Sequence, residues 1–347
     1  MALFMTVSRN KLDKRIEPRF SKWREQNVQP RPWQYLLAPL VVVAVALHSP
    51  AQDATQDRDF LVQGEYVGQL RTPIWNQSKV GLQVVALGKG HFSARLHYGG
   101  LPGQGAILGV CEKWSGATSA DGVVLWSGKR AIRIATPNVW IYDETGAVEG
   151  ILTRVERTSP TLGLPPAKNA FVLFDGDAHH LKDVKIENGL LQTGAMTDFP
   201  VGSFRLHLEF RTPFTPEARD QGRGNSGVYI QRRYEVQILD SFGLEGKFNE
   251  CGSLYRQTPP DFNMAYPPMT WQTYDIEFTA ARFDPCHQKI CPARITLFHN
   301  GVGVHYQREI SSKTGAGQPE GPEALPILFQ NHRDKVEFRN IWIELRN

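Results

Sequence analysis

Glu235 and Gln237 alternate with Tyr234, Val236 and Ile238 along Tyr234-Glu-Val-Gln-Ile-Leu-Asp240, so a carboxylate and an amide share the polar face of one strand. A Gly-rich turn, Gln221-Gly-Arg-Gly-Asn-Ser-Gly227, leads directly into Val228-Tyr-Ile-Gln231 and then into that strand. Asn225 and Tyr229 therefore reach the same sheet edge as Glu235 and Gln237. Further along, Gln330-Asn-His332 sets an imidazole at a strand end. A carboxylate, an imidazole and a ring of amide and hydroxyl groups are the materials of general acid–base chemistry. Each also has an ordinary reading: a solvated sheet face for Glu235 and Gln237, backbone conformation for the Gly-rich turn, and a structural histidine. Asp240 equally reads as a cap for the following Ser-Phe-Gly turn. The sequence carries no HExxH, CxxC or aspartate-rich calcium loop, hence no metal signature, and no GxSxG nucleophile elbow.

Strands must position these groups. In Phe204-Arg-Leu-His-Leu-Glu-Phe210, Phe204, Leu206, Leu208 and Phe210 share one face while Arg205, His207 and Glu209 share the other, and Tyr274-Asp-Ile-Glu-Phe278 repeats the pattern. With no sustained helix-period stretch beyond Lys168, the prediction is two antiparallel sheets packed face to face. Val336 and Phe338 are out of phase with Ile341, Ile343 and Leu345, so a β-bulge is expected around Arg339-Asn340. Upstream, Gly-separated runs such as Gly81-Leu-Gln-Val-Val-Ala-Leu87, Phe92-Ser-Ala-Arg-Leu-His-Tyr98, Val123-Val-Leu-Trp126 and Ala131-Ile-Arg-Ile-Ala135 predict a smaller β domain over residues 58–157. Thr158-Ser-Pro-Thr-Leu-Gly-Leu-Pro-Pro166 has the composition of a stiff linker, 158–167, before a larger domain over 168–347.

The 347 residues hold 39 Lys+Arg against 35 Asp+Glu and are 41% hydrophobic, a globular balance that excludes a disordered or collagen-like chain. Residues 1–51 carry eight Lys/Arg against three Asp/Glu, a net +5 that leaves −1 for the rest, so nucleic acid is not an implied partner. That stretch reads as an export signal: a basic region ending at Arg31, the apolar run from Tyr35 to Leu47, and Ser49-Pro-Ala51 as the peptidase site. At ~1.5 Å per residue the run spans about 20 Å, short of the ~30 Å hydrocarbon core, although Trp33 and His48 extend it into an uncleaved anchor over 33–48. The expectation is a periplasmic or cell-surface protein that meets a membrane only through this segment. Export places the four Cys in an oxidising compartment, with Cys286 and Cys291 as the expected local pair and four free thiols as the other reading.

The stretches Phe171-Val-Leu-Phe-Asp-Gly176, Gly224-Asn-Ser-Gly-Val-Tyr229, Tyr234-Glu-Val-Gln-Ile-Leu-Asp240, Trp271-Gln-Thr-Tyr-Asp275, His299-Asn-Gly301, and Gln330-Asn-His332 followed by Phe338-Arg-Asn-Ile341 stand in a distinctive order. From Lys168 to Asn347 the chain resembles the 3-keto-disaccharide hydrolase family. The resemblance implies an all-β fold, a concanavalin/laminarinase-like jelly-roll sandwich, here preceded by the small β domain and the signal or anchor segment. It also implies action on glucosides whose 3-hydroxyl is oxidised to a ketone. That ketone acidifies the C2 proton, so a base can remove it, the C1 substituent leaves by elimination, and hydration of the glucal completes a net hydrolysis.

On that resemblance Glu235 is the expected base and His332 the acid or oxyanion donor. Asn225 and Gln237 are expected on sugar hydroxyls, with Tyr229, Tyr255 and Asp240 among the substrate-binding residues. Arg339, re-aimed by the bulge, is expected to face the enediolate. No cofactor is assigned, and the partner is a 3-keto-glucoside or another glycan. Family members commonly place a Trp several residues after the Phe-Asp-Gly motif, whereas Asp175 to Gly189 holds none and has His179-His180 instead, so one wall of the sugar site is expected to differ. Two rival readings stand beside this one: a non-catalytic glycan-binding module with Tyr229 and Tyr255 around a shallow groove, and a conventional retaining glycosidase. Against the latter, Glu235 and Asp240 lie five apart and face opposite sides of a regular strand.

Overall fold

The computed structural model describes residues 56–71 and 78–346, so the basic leader and its apolar run lie outside the described residues. Among those described, no helix is long and apolar enough to cross a membrane. After a single helical turn, Arg58–Val62, eight antiparallel strands from Gly64–Leu70 to Val148–Val155 close into a barrel, because the first pairs with the last from Glu65↔Val155 to Leu70↔Gly150. Alternation fills it. In His91–Tyr98, Phe92, Ala94 and Leu96 point inward, and they meet Tyr66, Leu82, Trp114, Leu125, Ile132 and Leu152 in a packed core. Gly68 is needed where the barrel closes, since a Cβ there would lie 2.2 Å from the Ile151 carbonyl oxygen.

Beyond the linker, two sheets sandwich a second core. The smaller has five strands in the order Leu181–Lys182, Met196–Thr197, Leu328–Phe329, Ser226–Ile230, Tyr234–Ile238. The larger has eight, running Ile186–Glu187, Leu190–Gln192, Glu337–Arg346, Ser203–Arg211, Gln272–Thr279, Ala293–His299, Val302–Ile310, with Phe171–Phe174 also paired to Glu337–Arg346. Phe204, Leu206, Leu208 and Phe210 from the larger sheet meet Val228, Ile230, Val236 and Ile238 from the smaller, all fully buried. The bulge falls where the phase change requires it: His207 pairs with Trp342 but Glu209 with Arg339, and Asn340 takes φ +43° to absorb the additional residue.

The barrel is bolted to the sandwich. Arg157 donates to both carboxylate oxygens of Glu65 at 2.5 and 2.6 Å and to the Pro102 carbonyl at 2.7 Å, and its guanidinium lies 4.7 Å from the Tyr266 ring centre. Arg223 donates to the Ala86 carbonyl of the barrel at 3.1 Å and Arg95 to the Gly243 carbonyl of the sandwich at 3.1 Å. The segment from Ser159 to Leu164 lies on the outer face of the larger sheet. Ser159 bonds Thr273 (2.6 Å), Thr161 donates to Asp275 (2.7 Å), Gly163 donates to Glu209 (2.5 Å), and the Leu164 carbonyl accepts from Trp342 and Asn340.

The expected Cys286–Cys291 disulfide is absent; all four cysteines are free thiols. Register explains it. Cys291 stands opposite Arg282, whose guanidinium donates to its sulfur at 2.9 Å, while Asp284 Oδ1 accepts from the backbone N–H of Cys286 and Gln288 and holds Cys286 in the turn.

Candidate active site

Hydrophobic alternation turns Val228, Ile230, Tyr234, Val236 and Ile238 toward the core, which leaves Tyr229, Glu235 and Gln237 on the outer face of the smaller sheet. There Tyr229 faces Glu235 and Gly227 faces Gln237 across the strand pair. The Tyr229 hydroxyl donates to Glu235 Oε2 at 2.7 Å. A Cβ at position 227 would come within 2.6 Å of Glu235 Oε1, so the side chain that Gly227 lacks leaves the space in which the carboxylate sits. From above, Thr314 Oγ1 accepts from the Glu235 backbone N–H at 2.6 Å. Gly315, at φ +38°, passes close to both Glu235 and the Tyr255 ring.

This enclosure sets the acidity. Glu235 is 3% exposed, and burial raises its pKa to about 7, with the bond from Tyr229 offsetting part of the rise. Burial first, then the neighbouring Glu235 charge, push the Tyr229 hydroxyl far up, so it is a proton donor throughout the neutral range. With its nitrogen turned to the carboxyl, the Gln237 amide donates to Glu235 Oε1 (2.9 Å) and Ser226 O (3.1 Å), which satisfies the amide where the opposite orientation does not.

Asn225 joins the group through its bonds to Gln221, and its backbone N–H donates to Asp334 at 3.0 Å. That contact, with the Gln330 N–H donating to the Gly227 carbonyl at 2.8 Å, lays the segment 330–334 along the same edge; His332 there is exposed and makes no hydrogen bond to the groups around Glu235. Tyr229, Glu235, Gln237, Asn225 and Tyr255 are thus brought together. Among the described residues no cluster of three or more His, Cys, Asp or Glu side chains has the spacing of a metal site.

Asp240 and Arg339 are not part of this group. Asp240 is buried in an ion pair with Arg223 (2.6 Å) and caps the Phe242 N–H; burial raises its pKa against the Arg223 charge. Arg339 lies on the far side of the sandwich, on the outer face of the larger sheet, bonded to Glu209 at 2.6 Å and stacked 4.0 Å over Trp271. The bulge does re-aim the chain, but the strand belongs to the other sheet. That outer face carries its own network. His207 contacts Asp275 at 2.8 Å, and burial, which lowers its pKa, is outweighed by the bonds to Asp275 and Glu209, which raise it. Burial likewise opposes ionisation of Glu209, but bonds from His207, Asn340, Gly163 and Arg339 hold its pKa down to about 2.

A family model described as the 3-keto-alpha-glucoside-1,2-lyase-like domain matches residues 167–344. The chain belongs to this family. The matched span of the 3-keto-alpha-glucoside-1,2-lyase-like domain contains both sheets of the sandwich and every group around Glu235, and the barrel lies outside it. Two solved structures, both of Parabacteroides distasonis proteins named as glycosyl hydrolases, are similar. One is 30% identical over 52% of this chain and 84% of its own, with a TM-score of 0.47; the other is 21% identical over 51% and 99%, with a TM-score of 0.38. No curated protein matches. Within the family domain, the residues that motif reading missed are Gly227 as the seat of Glu235, and Thr314 and Gly315 as its cover. Gln221 and Gly227 stand in the Gly-rich turn that drew attention; Thr314 and Gly315 lie in a loop with no pattern to mark them.

Proposed function

We propose that the chain cleaves 3-keto-glucosides by elimination and hydration. Glu235 takes the proton from C2, which the neighbouring ketone acidifies. The electron pair of the C2–H bond enters the enediolate and then expels the C1 substituent as the C1=C2 bond forms. Water adds at C1, and Glu235 returns its proton to C2, so the net change is hydrolysis and the base is regenerated. His332 gives its proton to the leaving group and regains one from the water that adds at C1, so the acid is restored as well. Asn225, Gln237 and Tyr255 surround the sugar.

The observation that carries this reading is the buried Glu235 carboxyl, poised at about 7 with a Tyr229 donor at 2.7 Å, since a base whose pKa matches the operating pH is the most effective one. Membership of the 3-keto-alpha-glucoside-1,2-lyase-like domain family supports a keto-glucoside as the substrate. Export belongs to the same reading and is supported by the apolar run from Tyr35 to Leu47; cell fractionation checks it.

The test is purified protein incubated side by side with a 3-keto-glucoside and its unoxidised parent, following aglycone release and enone absorbance. Release from the keto form alone is the expected result. Release from the parent would replace elimination with conventional glycoside hydrolysis, and binding without release would reduce the site to glycan recognition.

A further inference from the structure

Ala86 and Arg95, which bond the barrel to the sandwich, stand on Ser78–Gly88 and His91–Tyr98, so the wall built by Gly122–Ser127, Arg130–Ala135, Asn138–Tyr142 and Val148–Val155 lies across the ring from that junction. Alternation turns Leu125, Ile132 and Ile141 into the barrel core and their neighbours outward. On one outward rung Trp126, Ala131, Tyr142 and Val148 stand side by side. On the next, Val124 faces Arg133 and Arg133 faces Trp140, with Ile151 beyond. Trp126 is 55% exposed, Ile151 54% and Val148 45%, so this apolar surface is open to solvent.

The two rungs differ at their middle. Arg133 fills the second, with its guanidinium 5.6 Å from the Trp140 ring centre and its Nε donating to the Asp121 carbonyl at 3.0 Å. Ala131 leaves the first one empty, so Trp126 and Tyr142 flank a trough two strand spacings wide, about 10 Å. A saturated ring in carbon contact on both of its faces needs about 8 Å between the flanking groups.

Size and charge narrow what can lie there. Four strands by two rungs measure about 15 by 7 Å, far below the ~800 Å² that each side of a stable protein complex contributes. An anionic lipid surface calls for free cations, yet at the adjoining turn Lys129 is paired with Glu144, and Arg130 with Glu112 and Glu149. A pyranose ring suits both conditions. It is uncharged, the C–H bonds on its faces lie against aromatic π-clouds, and the hydroxyls at its edge stay in water or reach the Arg133 guanidinium. We propose that this wall of the barrel is a glycan-binding surface on which Trp126 and Tyr142 clasp one sugar ring of a neutral polysaccharide over Ala131. The assignment holds whether or not Glu235 is the base.

The experiment runs the full chain, Trp126→Ala, and Ala131→Gln, which fills the trough and leaves both rings in place, through native gels cast with starch, laminarin or hydroxyethyl cellulose. Tm and turnover of a 3-keto-glucoside are measured alongside. The expected result is retardation of the wild type by at least one polysaccharide and an affinity about 10-fold lower in each variant, the worth of one stacked ring, with Tm and turnover unchanged. If Trp126→Ala lowers Tm, Ala131→Gln decides: weakened retardation at the wild-type Tm upholds the trough. Equal retardation of all three proteins, or none by any polysaccharide, overturns the proposal. So does sedimentation with phosphatidylglycerol vesicles, or a dimer in gel filtration, that both variants lose while no polysaccharide binds, since the face then belongs to a membrane or to a second copy. Retardation that follows the variants in a protein without keto-glucoside turnover upholds the surface and overturns only the reading of Glu235.

Discussion

Tyr229 and Glu235 stand directly opposite each other on neighbouring antiparallel strands, and the phenol hydroxyl is 2.7 Å from the carboxylate. Side chains so placed are fixed by the sheet ladder rather than by loops, which is the firmest support a protein can give a reacting group. The bond presents a donor to the ionised form, while burial favours the neutral one. The balance falls at about 7.

The rate should follow that balance. A base acts only when deprotonated, so kcat/KM for a 3-keto-glucoside rises with pH through an inflection at about 7 and then levels. Glu235→Gln removes the inflection and lowers kcat by about 10²–10⁴-fold while sparing binding. A pH–rate profile with its acid limb near 4 would take the role of base away from Glu235.

The same variant should be more stable than wild type under alkaline conditions. The folded pKa, about 7, lies above the ordinary carboxylate value of 4.5, so the folded state holds its proton more tightly than the unfolded one. The contribution of this group to stability is thus fully present below pH 4.5 and lost as pH rises through 7, on the order of 3 kcal/mol at pH 8. Glu235→Gln escapes the loss, and melting curves at pH 5 and pH 8 should separate the two proteins only at the higher pH.

Gly227→Ala should disable the site without unfolding the sandwich. Its methyl group would occupy the position 2.6 Å from Glu235 Oε1, and the carboxylate is the part that can move. Turnover falls by about 10²-fold, as for a misplaced catalytic group. A variant with wild-type kcat would show that Glu235 has no need of its present seat.

Arg339→Ala should leave kcat and KM unchanged and lower Tm. Its guanidinium holds Glu209 and covers Trp271 on the face of the sandwich opposite Glu235. The half-exposed Arg339 limits the cost to about 1 kcal/mol. A selective fall in kcat would return Arg339 to the chemistry.

Much of this arrangement is legible in the sequence. Alternation marked Phe204 to Phe210 and Tyr234 to Ile238 as strands with one apolar face, and the phase change before Ile341 located the bulge. Period-two patterning says that Glu235 and Arg339 lie off the core, but it does not say which sheet each strand joins. Strand order depends on pairings such as Ser203–Arg211 with Glu337–Arg346, which lie far apart along the chain. The two polar faces therefore look alike in the sequence, and nothing in it separates the face of Arg339 from that of Glu235. For the same reason the pattern puts His207 and Glu209 off the core without saying that both are buried beneath the linker. Barrel closure, with Glu65 against Val155, is equally non-local.

The linker's place on the larger sheet bears on what can be exchanged between proteins as one piece. The family domain begins at residue 167, yet Thr161 and Gly163, just before it, supply bonds to Asp275 and Glu209, and Leu164 accepts from Trp342. A cut at the family boundary would take from Asp275 its Thr161 partner and from Glu209 the Gly163 N–H, one of the bonds that hold the Glu209 pKa down. The portable unit is therefore longer than the recognisable one. An upstream neighbour can be replaced freely only if the new protein keeps a strap of the same reach, with a hydroxyl and a bare N–H at the same two steps.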